Sequence, residues 1–159
     1  IHNFYVPAGG DVPDIEANPK FAHKLQFIEE MTSHFSTNQP KAEILVGDLN
    51  IAPLASDVWS SKQLLKIISH TPVETDALKR LIADGGWHDA VRAYFGDDQK
   101  LYSWWSYRAR DWAASDRGRR LDHIWVSHDL ADKVTHAEIH RRWRGVDKPS
   151  DHVPVSLTL

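Results

Sequence analysis

No cysteine occurs among the 159 residues. That excludes a disulfide frame and a thiolate metal site, and it fits a reducing compartment. No apolar stretch reaches the ~20 residues that a membrane-spanning helix needs. No basic, apolar signal peptide opens the chain, which starts at Ile1 rather than Met. There is no internal repeat, low-complexity run or linker. What remains is ordinary globular material, 42% apolar and 26% charged. It suffices for one core and one domain over residues 1–159.

Nor is there a large excess of either charge sign. The formal net charge of −3 taken alone argues against a nucleic-acid partner. The distribution says more. Residues 1–107 hold 9 basic and 14 acidic side chains, whereas residues 108–148 hold 10 basic and 7 acidic. The cations are Arg108, Arg110, Arg117, Arg119, Arg120, Arg141, Arg142, Arg144 and Lys148, with Lys133. A local basic stripe on an acidic body is either a phosphate-tracking footprint or a solvated face.

Strand and helix signals alternate, which predicts an α/β (α+β) layered fold. Ile1–Val6 reads as a strand. Phe21, Leu25, Ile28, Met31 and Phe35 recur at helical spacing and predict a helix over Lys20–Phe35. Residues 43–47 form a short apolar strand, and Asp57–Ile68 is ambiguous. Thr71-Pro72-Val73-Glu74 is a capping box with proline at the first helical position, opening a helix to about Ala83 that Gly85-Gly86 ends. Asp89–Phe95 reads as a short helix. Leu101–Tyr107, Leu121–Ser127, Val134–Trp143 and Val153–Leu159 read as strands.

The chemistry concentrates where strands end. Gly47-Asp48-Leu49-Asn50-Ile51 follows the strand Glu43-Ile44-Leu45-Val46, and Pro53 stops the element. Asp48 and Asn50 lie two residues apart, so on a strand they point the same way. Lys148-Pro149-Ser150-Asp151-His152 places a second carboxylate beside an imidazole. Arg119-Arg120-Leu121-Asp122-His123-Ile124-Trp125-Val126 puts a third acid at the start of an apolar strand. Three such acids, an Asn and a His supply what metal-assisted attack of water on a phosphate diester requires: a base, a metal ligand and donors for developing charge. Read singly, Asp48 and Asn50 are also ordinary turn residues. Trp104 and Trp105 are adjacent and face opposite ways on a strand. One can pack in the core while the other stacks on a sugar or base.

Four segments, GDLNIAP at 47–53, RLDHIW at 120–125, KPSDHVPV at 148–155 and Asn3-Phe4-Tyr5-Val6-Pro7, resemble in order the motif set of the endonuclease/exonuclease/phosphatase family. His70-Thr71-Pro72-Val73-Glu74 and Tyr102-Ser103-Trp104-Trp105-Ser106-Tyr107-Arg108 resemble its bacterial exodeoxyribonuclease III branch. The resemblance runs through the whole chain. It implies a four-layer α/β sandwich of two packed mixed sheets flanked by helices. It also implies a DNA repair nuclease that cleaves 5′ to abasic sites and trims or dephosphorylates 3′ ends of duplex DNA.

The resemblance assigns roles residue by residue. Asp48 is the general base or the carboxylate that orients water. Asn50, Tyr5 and His152 contact the phosphate, Asp122 orients His152, and His123 is structural. Asp151 is a metal ligand, with Asp48, Asn50 and His152 as further candidate ligands. Trp104, Trp105, Arg108, Arg119, Arg141 and Lys148 are candidate DNA contacts, with Trp104 the aromatic that faces an abasic sugar. Ala8 stands where some relatives carry an Asn, which removes one phosphate donor. Mg²⁺ is the expected cation, with Mn²⁺ as a substitute, because the donors are carboxylates, an amide and water. The expected partner is double-stranded DNA with abasic sites or 3′ ends, not a membrane. The complete protein is expected to be a monomer at work on the nucleoid in a bacterial cytoplasm.

Complete members also carry an N-terminal half that contributes an Asn and a Glu to the metal. The chain is therefore expected to be the C-terminal part of a single domain and, alone, to be nearly inactive. Two other readings stay open. One is an inositol or lipid phosphatase of the same family, and the other is a catalytically silent fragment that binds DNA or a partner.

Overall fold

The computed structural model describes residues 1–159. Strand β1 (His2–Tyr5) enters a long loop. Helix α1 (Pro19–Thr37) then begins at Asn18, whose side chain accepts the Lys20 backbone N–H, as helix-capping residues do. Strand β2 (Ile44–Asp48) follows, then a short helix α2 (Ser61–Leu64). Helix α3 (Pro72–Asp84) opens on the expected capping box, with Glu74 Oε2 accepting from both the Thr71 N–H and hydroxyl. Next come β3 (Trp87–Asp89), α4 (Ala90–Phe95) and β4 (Trp104–Trp105). The chain closes with α5 (Trp112–Ser115), β5 (Gly118–Arg119), β6 (Asp122–Ser127), β7 (His136–Ile139) and β8 (Val155–Thr158).

The main sheet has strand order β1-β2-β6-β3. β1 runs parallel to β2, while β6 is antiparallel to both β2 and β3. Two antiparallel ribbons, β4-β5 and β7-β8, complete the strands. Helices α1 and α3 cover one face of the main sheet. Ile28, Met31 and Phe35 of α1 and Leu78 and Leu81 of α3 meet Leu45, Trp87 and Trp125 in one buried cluster. The expected α/β layering, with helices packed on a mixed sheet, is what forms.

Three boundaries differ from the sequence reading. The strand expected over Leu101–Tyr107 shrinks to two residues, because its backbone groups serve two neighbours in turn. Ser103 N–H donates to the Arg119 carbonyl, Trp105 N–H donates to Asp151, and Val153 N–H donates back to Ser103. The strand expected over Val134–Trp143 stops at Ile139 and becomes a 3-10 turn, Arg141–Gly145. Finally, α1 buries Lys24 completely and leaves Leu25 partly exposed, because Lys24 finds a carboxylate partner inside.

The register places the site. Tyr5 pairs with Asp48, and Asp48 pairs with Asp122 across the sheet. Three chemically active residues therefore share one sheet end. Gly47 permits the close approach of β1. It sits at φ 137°, and a Cβ there would overlap the Phe4 carbonyl oxygen, so only glycine fits. Trp104 pairs on its other side with His152, which brings the second imidazole-bearing segment to the same end.

Candidate active site

A cleft of about 740 Å³ opens at this sheet end. Tyr5, Asp48, Asn50 and His152 line it, together with Trp59, Trp104, Arg108, Arg117 and Arg119. The structure thus gathers four of the five residues assigned to chemistry, and Asp122 reaches the fifth position through His152.

Asp48 and Asn50 form one rigid unit. Asn50 sits at φ 53°, a left-handed conformation that Asn tolerates better than most residues. In that turn its N–H donates to Asp48 Oδ1 at 2.9 Å and its Nδ2 donates to Asp48 Oδ2 at 3.1 Å. Nδ2 also donates to the Val6 carbonyl at 2.8 Å. Burial pushes the Asp48 carboxyl above the usual aspartate range; the Asn50 N–H opposes this and the Asp122 charge adds to it. A raised carboxylate is a stronger base once ionised.

His152 faces Asp48 from the opposite wall. Its Nδ1 lies 2.8 Å from Asp122 Oδ2, and its Nε2 lies 3.9 Å from Asp48 Oδ2. The first distance is a hydrogen bond and the second is not. Asp122 therefore fixes the ring with Nε2 turned into the cleft. Burial draws the imidazole's pKa down, but the Asp122 hydrogen bond and the charges of Asp122, Asp48 and Asp151 outweigh it, and the net shift is upward. Asp122 is itself held by its neighbours: the buried Ser103 hydroxyl accepts the N–H groups of Leu121 and Asp122, each at 3.1 Å.

The aromatic wall answers the question left by the Trp pair. Trp104 lines the cleft half-buried and carries the Arg119 guanidinium 5.3 Å above its ring. Arg119 is anchored by the Ile68 carbonyl at 3.1 Å and the Ser69 hydroxyl at 2.7 Å. Tyr5 is 70% exposed and presents its ring at the cleft edge.

Other expected contacts lie elsewhere. Trp105 is 1% exposed and packs with Tyr102 and Val153, so its ring belongs to the core and not to a DNA surface. Arg141 stacks over Trp105 and Trp112, pairs with Asp116 at 2.9 Å, and lines a separate cavity of about 470 Å³. Lys148 is exposed on its loop and outside the cleft lining. Neither lines the cleft. Asp151 also falls outside the lining; its Oδ2 accepts the Trp104 indole N–H at 3.0 Å.

The expected cation fits these donors in kind but not in number. Oxygen ligands suit a hard divalent ion. However, no group of three or more His, Asp or Glu side chains is gathered tightly enough to enclose one. Asp48 and Asn50 are bonded to each other, Asp122 to His152, and Asp151 to Trp104.

Several residues support the site from behind, His123 in the structural role expected of it. His123 and His70 hold the chain just past Asn50, with His123 Nε2 2.9 Å from the Ile51 carbonyl and His70 Nδ1 2.7 Å from that of Ala52. Trp59 carries Arg117 at 4.7 Å from its ring centroid. Only the Arg117 cation was marked by its place in the basic stripe.

Comparison with known proteins places the chain in a family. The model of the Endonuclease/Exonuclease/phosphatase family matches residues 44–152. An exodeoxyribonuclease of Bacillus subtilis is 34% identical over 140 residues, covering 86% of this chain and 52% of its own length. A solved 3′-5′ exonuclease from Neisseria meningitidis superposes with a TM-score of 0.87 at 28% identity, covering 99% of this chain and 59% of that one. An AP endonuclease from Archaeoglobus fulgidus gives 0.85 at 26% identity, covering 96% and 58%. The chain therefore spans about half the length of the B. subtilis relative. With the family model covering both the Asp48–Asn50 turn and His152, the chain belongs to the endonuclease/exonuclease/phosphatase family.

Proposed function

We propose that the protein is a DNA repair phosphodiesterase that cleaves 5′ to abasic sites and removes nucleotides or phosphate from 3′ ends of duplex DNA. The observation that carries this reading is the Asp122–His152 pair aimed across the cleft at Asp48, beside a tryptophan backed by arginine. A phosphatase for small soluble esters needs the first half of that arrangement but has little use for the second. Relatives and neighbours named exodeoxyribonuclease, 3′-5′ exonuclease and AP endonuclease support the same choice.

In this mechanism Asp48 takes the proton of the attacking water. Burial raises its pKa, which makes it a stronger base once ionised. His152, kept protonated more readily by Asp122, donates from Nε2 to a phosphoryl oxygen as charge builds there. The Asn50 turn holds the Asp48 carboxylate in place, and the Tyr5 hydroxyl contacts the phosphoryl oxygens. Arg119 and Trp104 hold the sugar and flanking phosphate. A divalent cation, Mg²⁺ with Mn²⁺ as substitute, belongs to the proposal; when bound it neutralises charge on the phosphate. Asp151 and Asp48 would contribute to its shell. Because the donors gathered here leave that shell open, residues 1–159 on their own are expected to nick DNA slowly or not at all.

The test is a substrate panel with purified full-length protein and Mg²⁺. It comprises an abasic duplex, a recessed 3′ end, a 3′-phosphate duplex and an inositol phosphate. Incision on the 5′ side of the abasic site supports the reading. Turnover of the inositol phosphate without turnover of any DNA rejects it.

A further inference from the structure

Beneath the Asp48–Asn50 turn lies a buried ion pair that the proposed chemistry does not use. Lys24 on α1 and Glu74 on α3 both have fully buried side chains. An ammonium has three N–H donors, and Lys24 Nζ has three acceptors: Glu74 Oε1 at 2.5 Å, the Asn50 carbonyl at 2.8 Å and the Ala8 carbonyl at 3.3 Å. Glu74 in turn accepts the Ser69 N–H on both oxygens, at 3.0 and 2.9 Å. The Ser69 hydroxyl is the anchor of Arg119. Ala8, Asn50 and Ser69 all line the cleft. One ion pair thus ties three separate cleft segments to the two core helices.

Stability does not require this arrangement. Apolar residues in place of a buried pair are often neutral or stabilising. What the pair supplies is a fixed point for a turn whose central residue sits at a positive φ. The Asn50 carbonyl is held from below by Lys24. Its amide side chain and N–H then face the other way, onto Asp48 and Val6.

We propose that Lys24, with Glu74 as its counterion, is a positioning residue that fixes the Asn50 turn and, through it, the orientation of the Asp48 carboxylate toward the reacting phosphate. The rate readout of this proposal rests on the phosphodiesterase reading; its structural readout does not.

The decisive variant is Lys24→Met/Glu74→Gln in the full-length protein, which removes both charges and leaves neither unmatched. Measured well below its melting temperature, it is expected to lose about 10²-fold in kcat, the scale of a misplaced reacting group, with KM within about twofold. The Asn50 side-chain amide signals, identified by their loss in Asn50→Asp, are expected to shift or broaden in NMR spectra. A purely structural pair would lower the melting temperature and leave kcat and those signals unmoved, and that result overturns the proposal. If the unaltered protein cleaves no DNA, the nuclease reading fails and the Asn50 signals alone decide the role of Lys24. Should the double variant not fold, the unaltered protein gives the answer: a scalar coupling across the Lys24 Nζ to Asn50 carbonyl hydrogen bond is expected, and its absence overturns the proposal.

Discussion

Arg119 and Arg120 are neighbours in sequence, yet they serve two clusters with opposite characters. Arg120 is sealed in the core. Its guanidinium bonds Asp57 through Nε at 2.6 Å and Nη2 at 3.1 Å, and meets Asp89 at 2.9 Å. Arg92 also pairs with Asp57. Burial alone would raise both aspartates, but these cations outweigh it, so Asp57 is lowered and Asp89 is held well below the carboxylate range. Arg119 instead reaches the cleft, where Asp48 has no arginine or lysine partner, His152 Nε2 stays 3.9 Å away, and burial moves the Asp48 pKa up. The two clusters use the same residue types. One has its charges matched and is inert; the other leaves a carboxylate and an imidazole on one cleft with no hydrogen bond between them.

The comparison breaks most visibly at Asp48. In the full-length protein, Asp48→Asn is expected to lower the abasic-site cleavage rate by about 10²–10⁴ while leaving DNA binding nearly intact. Single-turnover rates at saturating enzyme read this directly, and an unchanged rate removes Asp48 from the chemistry.

On the other side, Arg120→Met leaves Asp57 and Asp89 without their shared cation. The expected loss is about 3–5 kcal/mol of stability, read by denaturant unfolding, with a far smaller effect on the rate of the folded fraction than Asp48→Asn has. A rate loss equal to that of Asp48→Asn, at full stability, would mean that the two clusters are not functionally distinct.

Trp104→Ala is expected to cost about 1–3 kcal/mol in abasic-duplex processing, the worth of one base-stacking contact. It should cost less with a small phosphodiester. Equal losses on both substrates would assign Trp104 to packing, as for Trp105.

The smallest effect concerns pH. The folded-state pKa of His152 is raised, so its pairing with Asp122 stabilises the fold fully below the ordinary histidine value of about 6.5. That contribution is lost as pH rises through the raised value. The stability gap between the unaltered protein and Asp122→Asn should therefore be widest below about pH 6.5 and narrow as pH rises above it. The His152 titration midpoint, followed by NMR, should fall in Asp122→Asn. An unmoved midpoint would break the link between the two residues.

Much of this site was legible before any coordinates. Asp48 and Asn50 were marked by a strand end, Asp122 by the start of another, and His152 by its acidic neighbour. The division of labour between Trp104 and Trp105 followed in outline from strand alternation. The capping box at Thr71–Glu74 was equally clear, because it is a local hydrogen-bond pattern written in four residues.

The sequence by itself determined the local elements and the inventory of chemical groups, because periodicity, capping and strand alternation act over a few residues. It could not determine which charges pair. Lys24 lies off the apolar spacing of its helix, and the fold buries it against Glu74, 50 residues away. Arg120 lay in the basic stripe and is the center of the core network, bonded to Asp57 from 63 residues away. Arg141 and Lys148 lay in the same stripe and are not part of the cleft lining. Ion pairing depends on distance in space and on lost solvent, and both are set by how β6, α1 and α3 pack. The tertiary structure alone therefore decided which carboxylates are neutralised in the core and which are left free in the cleft to react.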